Sequence, residues 1–285
     1  MTIHEIRNEI RDRLAPVVGM SEADTMSKMI IEDVKGYTPV ELVIHANREL
    51  EPETIARIRR IADRVAEGEP LQYVLGKAWW HGRIFTVNPS VLIPRPETSQ
   101  LVDMIENDHR GKEDLRVLDI GTGSGCIAVT LALDLPFARV VAIDISRQAL
   151  QTAECNAKAL KAKVRFEHID VFDIDRSSLR DARLDIIVSN PPYILESERE
   201  EVDAMVKDHE PDTALFVDDD HSIDIYRKII GYAATNLDTG GRLYLEINPL
   251  CADMIKRALE ETGLDDAEII RDYKGVKRFA KATHR

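Results

Sequence analysis

The 285-residue sequence is poor in the features that announce metal, disulfide or membrane chemistry. It has three cysteines, Cys126, Cys155 and Cys251, scattered and without CxxC spacing. That usage fits reduced thiols, not a disulfide framework or a zinc site. The eight histidines are equally dispersed, so no metal site is expected. No apolar run approaches the roughly 18 residues that a membrane span needs. The N-terminal "MTIHEIRNEIRDRL" has no apolar h-region, so no secretory signal is expected and the protein is placed in the cytoplasm. Clustered Lys and Arg are missing too. The net charge is −13, with 10 Lys+Arg against 14 Asp+Glu in residues 1–75 and 28 against 37 in the remainder. This spread argues against a phosphate-binding surface, and direct nucleic-acid binding is not expected. Neither an internal repeat nor a low-complexity segment is present.

What remains is a soluble globular composition, 44% hydrophobic and 31% charged, long enough for roughly two domains. Residues 1–73 read as a helical unit. Ile3, Ile6, Ile10 and Leu14 form one apolar stripe, and "TPVE" at 38–41 combines a Thr38 N-cap, Pro39 at the first helical position and Glu41 closing a capping box. Pro52 opens another helix, with Ile55, Ile58, Ile61, Ala62 and Val65 at helical spacing, ended by Gly68 and Pro70. Residues 74–93 form a bridge in which "AWW" and "RIFTV" flank His81-Gly82 as a hairpin. In "VLIPRPET", 91–98, Pro94 and Pro96 hold the chain extended before a helix.

From about Leu115, within a third region spanning 94–285, short apolar strands alternate with helical stretches. "RVLDI", "RVVAID", "VRFEHI", "LDIIVSN" and "GRLYLEI" predict a mostly parallel α/β sheet, with "AEIIRDY" and "KRFAKATH" as a closing antiparallel pair. Gly121, Gly123 and Gly125 follow the first strand, where glycines let a ligand approach a helix N-terminus. A structural turn and a dinucleotide site share this pattern. However, Cys126 stands where the dinucleotide fingerprint wants its last glycine, and Asp119 just before the loop suits an ammonium better than a pyrophosphate.

Asp144, about twenty residues on, ends the second strand at the offset of a ribose-binding acid, with helix capping ahead of Ser146 as the plainer reading. Asp170, Val171 and Phe172 end the third strand, where a carboxylate accepts from an adenine amino group. Asp173 competes for that role, and Phe172 has the alternative of a core position. A nucleoside joined to a zwitterionic amino acid, as in S-adenosylmethionine, fits these strand ends better than NAD does.

The fourth strand ends in Asn190-Pro191-Pro192-Tyr193. Prolines lack N–H groups, so this loop offers acceptors without competing donors. The Asn190 side-chain carbonyl and the Pro191 carbonyl suit the two N–H bonds of a planar amine. Tyr193 is expected to supply a flat face for that substrate and for a sulfonium charge. Holding both N–H bonds favours localisation of the nitrogen lone pair for in-line attack on a methyl carbon.

"GTGSG", "AID" and "NPPY" resemble class I S-adenosylmethionine-dependent amino-methyltransferases, a motif set shared by N6-adenine and protein-glutamine enzymes. "EPLQYVLG", "VLIPRPET", "NPPYI", "HEPDTALF" and "RDYKGVKR" together resemble the glutamine N5-methyltransferases of bacterial peptide chain release factors, over essentially the whole chain. The resemblance implies a Rossmann-like domain with a seven-stranded sheet behind a small helical domain that docks the release factor. It implies methylation of the Gln side-chain amide in the factor's Gly-Gly-Gln loop, leaving S-adenosylhomocysteine. Asn190 and Pro191 would hold the amide, and Pro192 and Tyr193 would shape the cleft. Gly121, Thr122, Gly123, Ser124, Gly125, Asp144, Asp170, Val171 and Asn190 would hold the cofactor. His209, Ser99 and Val171 depart from the family pattern, and "LEINPL" lacks the glycine often found after its Glu-Ile. The rival is an N6-adenine methyltransferase, but "ESEREEVD" after the motif carries five acids and one Arg, a poor neighbour for phosphates. A nicotinamide oxidoreductase lacks its glycine here, and a non-catalytic cofactor-binding module would not need an intact NPPY.

Overall fold

The computed structural model describes residues 1–285, and the chain divides into two compact units, Met1–Lys77 with Asp203–His209, and Ala78–Val202 with Glu210–Arg285. The first unit is helical: α1 (Ile3–Val18), α2 (Met20–Lys35), α3 (Pro39–Ile44), α4 (Pro52–Ala66), α5 (Leu71–Leu75) and the short α9 (Ala204–Lys207). Its helices start where the cap residues sit. The Thr2 hydroxyl accepts from Glu5 N while Glu5 accepts from Thr2 N, and Thr38 and Glu41 repeat that box at α3. Gly36, at φ 65, ends α2 in the left-handed conformation that glycine adopts freely. The stripe Ile3, Ile6, Ile10 and Leu14 on α1 is buried against Ile30 and Ile31 of α2 and Ile58, Ala62 and Val65 of α4. Each of the Ile, Leu and Val side chains contributes about 1.5–3 kcal/mol on burial.

In the hairpin, β1 (Lys77–Trp80) and β2 (Arg83–Thr86) turn through His81 and Gly82, both at positive φ, as a tight two-residue hairpin requires. The rest of the second unit is a sheet between helices. Its strands are β3 (Arg116–Ile120), β4 (Arg139–Asp144), β5 (Val164–His168), β6 (Leu184–Ser189), β9 (Leu237–Glu246), β10 (Asp265–Arg271) and β11 (Lys277–Thr283). A separate two-strand ladder pairs β7 (Ile194–Leu195) with β8 (Phe216–Val217). The seven-stranded order is β10-β11-β9-β6-β3-β4-β5, parallel from β9 to β5, with β11 antiparallel to both neighbours.

Both faces are covered, which is why the strands read as continuous apolar runs. Alternation still shows within them. Ile186 and Val188 face the cluster containing Val117 and Ala142, under α6 (Pro96–Asp108) and α7 (Cys126–Asp134). Ile187 faces the other cluster with Leu118 and Leu243, under α11 (Asp224–Asn236) and α12 (Ala252–Glu261). The remaining helices are α8 (Arg147–Leu160) and the short α10 (Asp212–Leu215). No helix is long and apolar enough to cross a membrane. The parallel topology sends the carboxyl ends of β3, β4, β5 and β6 to one edge, where α/β folds bind ligands.

Candidate active site

A cavity of about 280 Å³ opens at that edge. Gly121, Thr122, Gly123 and Ser124 form one wall, Asp144, Asp170 and Val171 another, and Asn190, Pro191 and Pro192 a third. Ten residues expected from four separate strand ends therefore share one space.

The glycine loop is fastened from behind. Gly121 N and Thr122 N both donate to Ile143 O, at 2.9 and 3.0 Å, and Gly123 N donates to Asp144 Oδ2 at 2.9 Å. Gly121 and Gly123 have φ of 73° and 56°, and a Cβ on either would meet open space. A ligand can thus approach their backbone closely. Asn156, buried on α8, donates to Ser124 O at 2.8 Å and to Thr86 O at 2.9 Å, so it ties the loop to the hairpin.

Gly125 stands just outside the cavity wall. It caps α7 at φ 79°, and a Cβ there would lie 2.9 Å from Ala153 Cβ. Its demand is close packing against α8. Gly125→Ala is expected to cost about 2 kcal/mol or more, lowering Tm by roughly 4–8 °C. Gly123→Ala, with open space ahead, should cost about half as much. Thermal unfolding followed by circular dichroism checks this ordering, and the reverse order contradicts it.

Asp119 also lies off the cavity wall. It is fully buried beneath the loop, accepts the Thr122 hydroxyl at 2.6 Å, and is pushed up to about 7 by burial. It holds Thr122 in place from beneath. Asp144 serves both readings of its position. Its two oxygens accept from Gly123 N and, at 2.8 Å, from Ser146 N, while it still faces the cavity. An ionised carboxylate offers about four acceptor sites, so lone pairs remain for a ligand's hydroxyls.

Asp170 Oδ1 accepts from Phe172 N at 2.9 Å, and this turn sets Val171 and Phe172 in the wall. Phe172 is 54% exposed, so it is not a core residue. Asp173 pairs with Arg176 outside the cavity. Ile145, 60% exposed in the same wall, escaped the sequence reading. Beside Phe172 it offers apolar surface to a planar ring.

The acceptor corner is governed by a buried hydrogen-bond chain. The Thr98 hydroxyl donates to Glu246 Oε2 at 2.7 Å and accepts from Asn190 Nδ2 at 3.2 Å. With its one proton given to Glu246, Thr98 can only accept from Asn190. The Asn190 Nδ2 therefore faces Thr98, which leaves Oδ1 free as an acceptor. Tyr193 closes the chain, donating to Glu246 Oε1 at 3.3 Å. It does not line the cavity; its ring packs against the core and its phenol turns inward to a buried carboxylate. A buried hydroxyl needs such a partner.

Burial pushes the Glu246 carboxyl up to about 7 from 4.5. The folded chain then holds this proton more tightly than the unfolded one, so stability falls as pH rises from about 4.5 to 7. Glu246→Gln removes that titration. Its stability relative to the parent should grow by on the order of 3 kcal/mol between pH 4 and pH 8. Urea midpoints at both pH values measure this, and an unchanged difference would contradict the assignment.

The family segments meet around this corner. Glu210 of "HEPDTALF", with a fully buried side chain, accepts from Ile93 N at 3.0 Å and from Arg95 at 2.6 Å in "VLIPRPET". Asn248, where the glycine was missing, donates to Tyr193 O at 2.9 Å and Glu198 Oε2 at 2.6 Å, bracing the NPPY loop. Of the other departures, Ser99 donates to Pro96 O at 2.7 Å and His209 contacts Met205 O at 3.2 Å.

The geometry agrees with the chain's relatives. The family described as "Methyltransferase domain" matches residues 111–263, and the one described as "PrmC N-terminal domain" matches residues 5–76. The release factor glutamine methyltransferase of Bacteroides thetaiotaomicron is 39% identical over 98% of this chain and 99% of its own. That of Neisseria gonorrhoeae is 41% identical over 88% and 90%. Among solved structures, a T. thermophilus 16S rRNA methyltransferase in complex with AdoMet and guanosine superposes with a TM-score of 0.52 at 22% identity, over 73% of this chain and 50% of that one. That likeness is one of fold. With near-full-length identities of this size and both domain families in order, the chain belongs to the release factor glutamine methyltransferase family.

Proposed function

We propose that this chain methylates the side-chain amide nitrogen of the Gln in the Gly-Gly-Gln loop of peptide chain release factors, with S-adenosylmethionine as donor, in the cytoplasm. The observation that carries this reading is Asn190 in the wall of the cavity shared with the glycine loop, its Nδ2 engaged by the Thr98–Glu246 chain, which leaves its carbonyl oxygen as the free acceptor. The residues present fit the donor. Open backbone at Gly121 and Gly123 admits its amino-acid end, Asp144 retains acceptor capacity for ribose hydroxyls, and Asp170 with Ile145, Val171 and Phe172 suits an adenine ring. When bound, S-adenosylmethionine supplies an electrophilic methyl carbon.

The chain's own residues handle the acceptor. An amide nitrogen is a poor nucleophile because its lone pair is delocalised. Asn190 Oδ1 and the Pro191 carbonyl accept its two N–H bonds and orient the lone pair along the line of attack. Pro191 and Pro192 carry no N–H that would compete for those acceptors. Developing positive charge on the nitrogen strengthens both hydrogen bonds, so they stabilise the transition state more than the ground state. The methylated nitrogen then releases its proton to water; Glu246, the carboxyl of this corner, is already engaged by Thr98 and Tyr193.

A neutral acceptor is also favoured by charge. The only cation in the cavity wall is Arg95, and it is held by Glu210, so nothing there awaits a phosphate. This supports a protein substrate over a flipped adenine. The helical unit docks the release factor in this proposal, and α3 offers Val40, Val43 and Ile44 to solvent for it. Calorimetry tests the cofactor half: saturable S-adenosylmethionine binding with none for NADH is expected, and the opposite pattern overturns it.

A further inference from the structure

The amino edge of the parallel sheet carries a second concavity, a groove of about 840 Å³. Every charged residue lining it is a cation: Arg116, Arg139, Lys161, Lys163, Arg165 and Arg183. They gather because adjacent parallel strands begin there. Arg116 and Arg139 open β3 and β4, Lys163 and Arg165 flank the start of β5, and Arg183 precedes β6. In a chain of net charge −13 this is a local reversal of sign.

Three of the six are already neutralised. Arg116 pairs with Asp185 at 2.9 Å and Asp238 at 2.5 Å, Arg165 with Glu167 at 2.9 Å, and Arg183 lies 3.9 Å from Asp238. Arg139, Lys161 and Lys163 make no ion pair and are exposed. Among them stands Phe137, 76% exposed and held at φ 56°. A bulky residue at positive φ is strained, and an aromatic ring turned to water forgoes its burial energy.

We propose that this groove binds single-stranded nucleic acid, with phosphates on Arg139, Lys161 and Lys163 and a base stacked on Phe137. Unpaired cations that track a backbone beside an exposed aromatic platform are the elements of sequence-tolerant single-strand binding. An acidic protein segment would use the cations but gain little from the ring. The groove lies at the sheet edge opposite the methyl-transfer cavity, so its occupation leaves that cavity open. This inference is independent of the substrate assigned above.

The test is fluorescence anisotropy of a labelled 12-residue oligouridylate with the full chain. Between 50 and 200 mM KCl the affinity should fall about 20-fold, the salt dependence of three neutralised phosphates on a single strand. The double variant Lys161→Glu/Lys163→Glu should abolish binding at 50 mM. Phe137→Ala should weaken it at least about fivefold while keeping the salt slope. Both variants should retain parental methyl transfer, which verifies their fold. Absence of oligouridylate binding at 50 mM, or binding that survives the double charge reversal, overturns the proposal. Equal affinity for a polyglutamate peptide, indifferent to Phe137→Ala, overturns it in favour of an acidic protein partner.

Discussion

Asn190→Ala is expected to lower kcat by roughly 100- to 1,000-fold while changing S-adenosylmethionine affinity by less than about threefold. The substitution removes one of two preorganised acceptors aimed at the reacting nitrogen, and removal of a single such dipole has that scale of effect in other enzymes. Most of the cavity wall is untouched, because the glycine loop, Asp144 and Asp170 are held by their own hydrogen bonds. Asn190→Asp is expected to fail as well. Its carboxylate cannot donate to Thr98, whose proton is committed to Glu246, so the two carboxylates and the hydroxyl no longer form a consistent chain. Single-turnover kinetics beside calorimetric cofactor titration measures both halves. Near-parental turnover for Asn190→Ala would remove Asn190 from the mechanism.

Thr98→Val is the second large effect, about 10- to 100-fold in kcat. Valine matches threonine in shape, so the buried site stays filled, but neither hydrogen bond survives. Glu246 loses its nearest donor, and the Asn190 amide is freed to rotate, so that Oδ1 faces the cavity only part of the time. A structural role alone would lower stability and leave the kinetic split unmoved. A positioning role predicts a fall in kcat with cofactor affinity and KM for the release factor nearly unchanged, and recovery in Thr98→Ser. Equal loss in the valine and serine variants would contradict the hydroxyl's role.

Much of this architecture was legible along the chain. "RVLDI" coincides with β3, and "AWW" and "RIFTV" with the hairpin, because burial of both sheet faces leaves unbroken apolar runs and the turn needs two positive-φ residues. The strand-end residues Asp144, Asp170 and Asn190 were legible for the same reason: parallel topology sends them to one edge.

The chain Asn190-Thr98-Glu246 was not legible. Its members lie far apart in sequence, and Glu246 sits in "LYLEI" like any acid at the end of a strand. Only tertiary structure shows it fully buried. Gly125 and Tyr193 were assigned to the cavity by their motifs, but contacts decide their orientation. Gly125 is fixed by Ala153, and Tyr193 by the carboxylate behind it. Summed charge concealed the basic groove, because its six cations come from separate segments.

The central claim is tested most directly by mapping the transferred methyl group. The protein is incubated with S-adenosylmethionine and an unmethylated release factor, and with ribosomal RNA in a parallel reaction; the products are then digested and analysed by mass spectrometry. The account predicts one added methyl on the Gln side chain of the Gly-Gly-Gln peptide and no methylated adenine. Methylated adenine with an unmodified Gly-Gly-Gln peptide would contradict it.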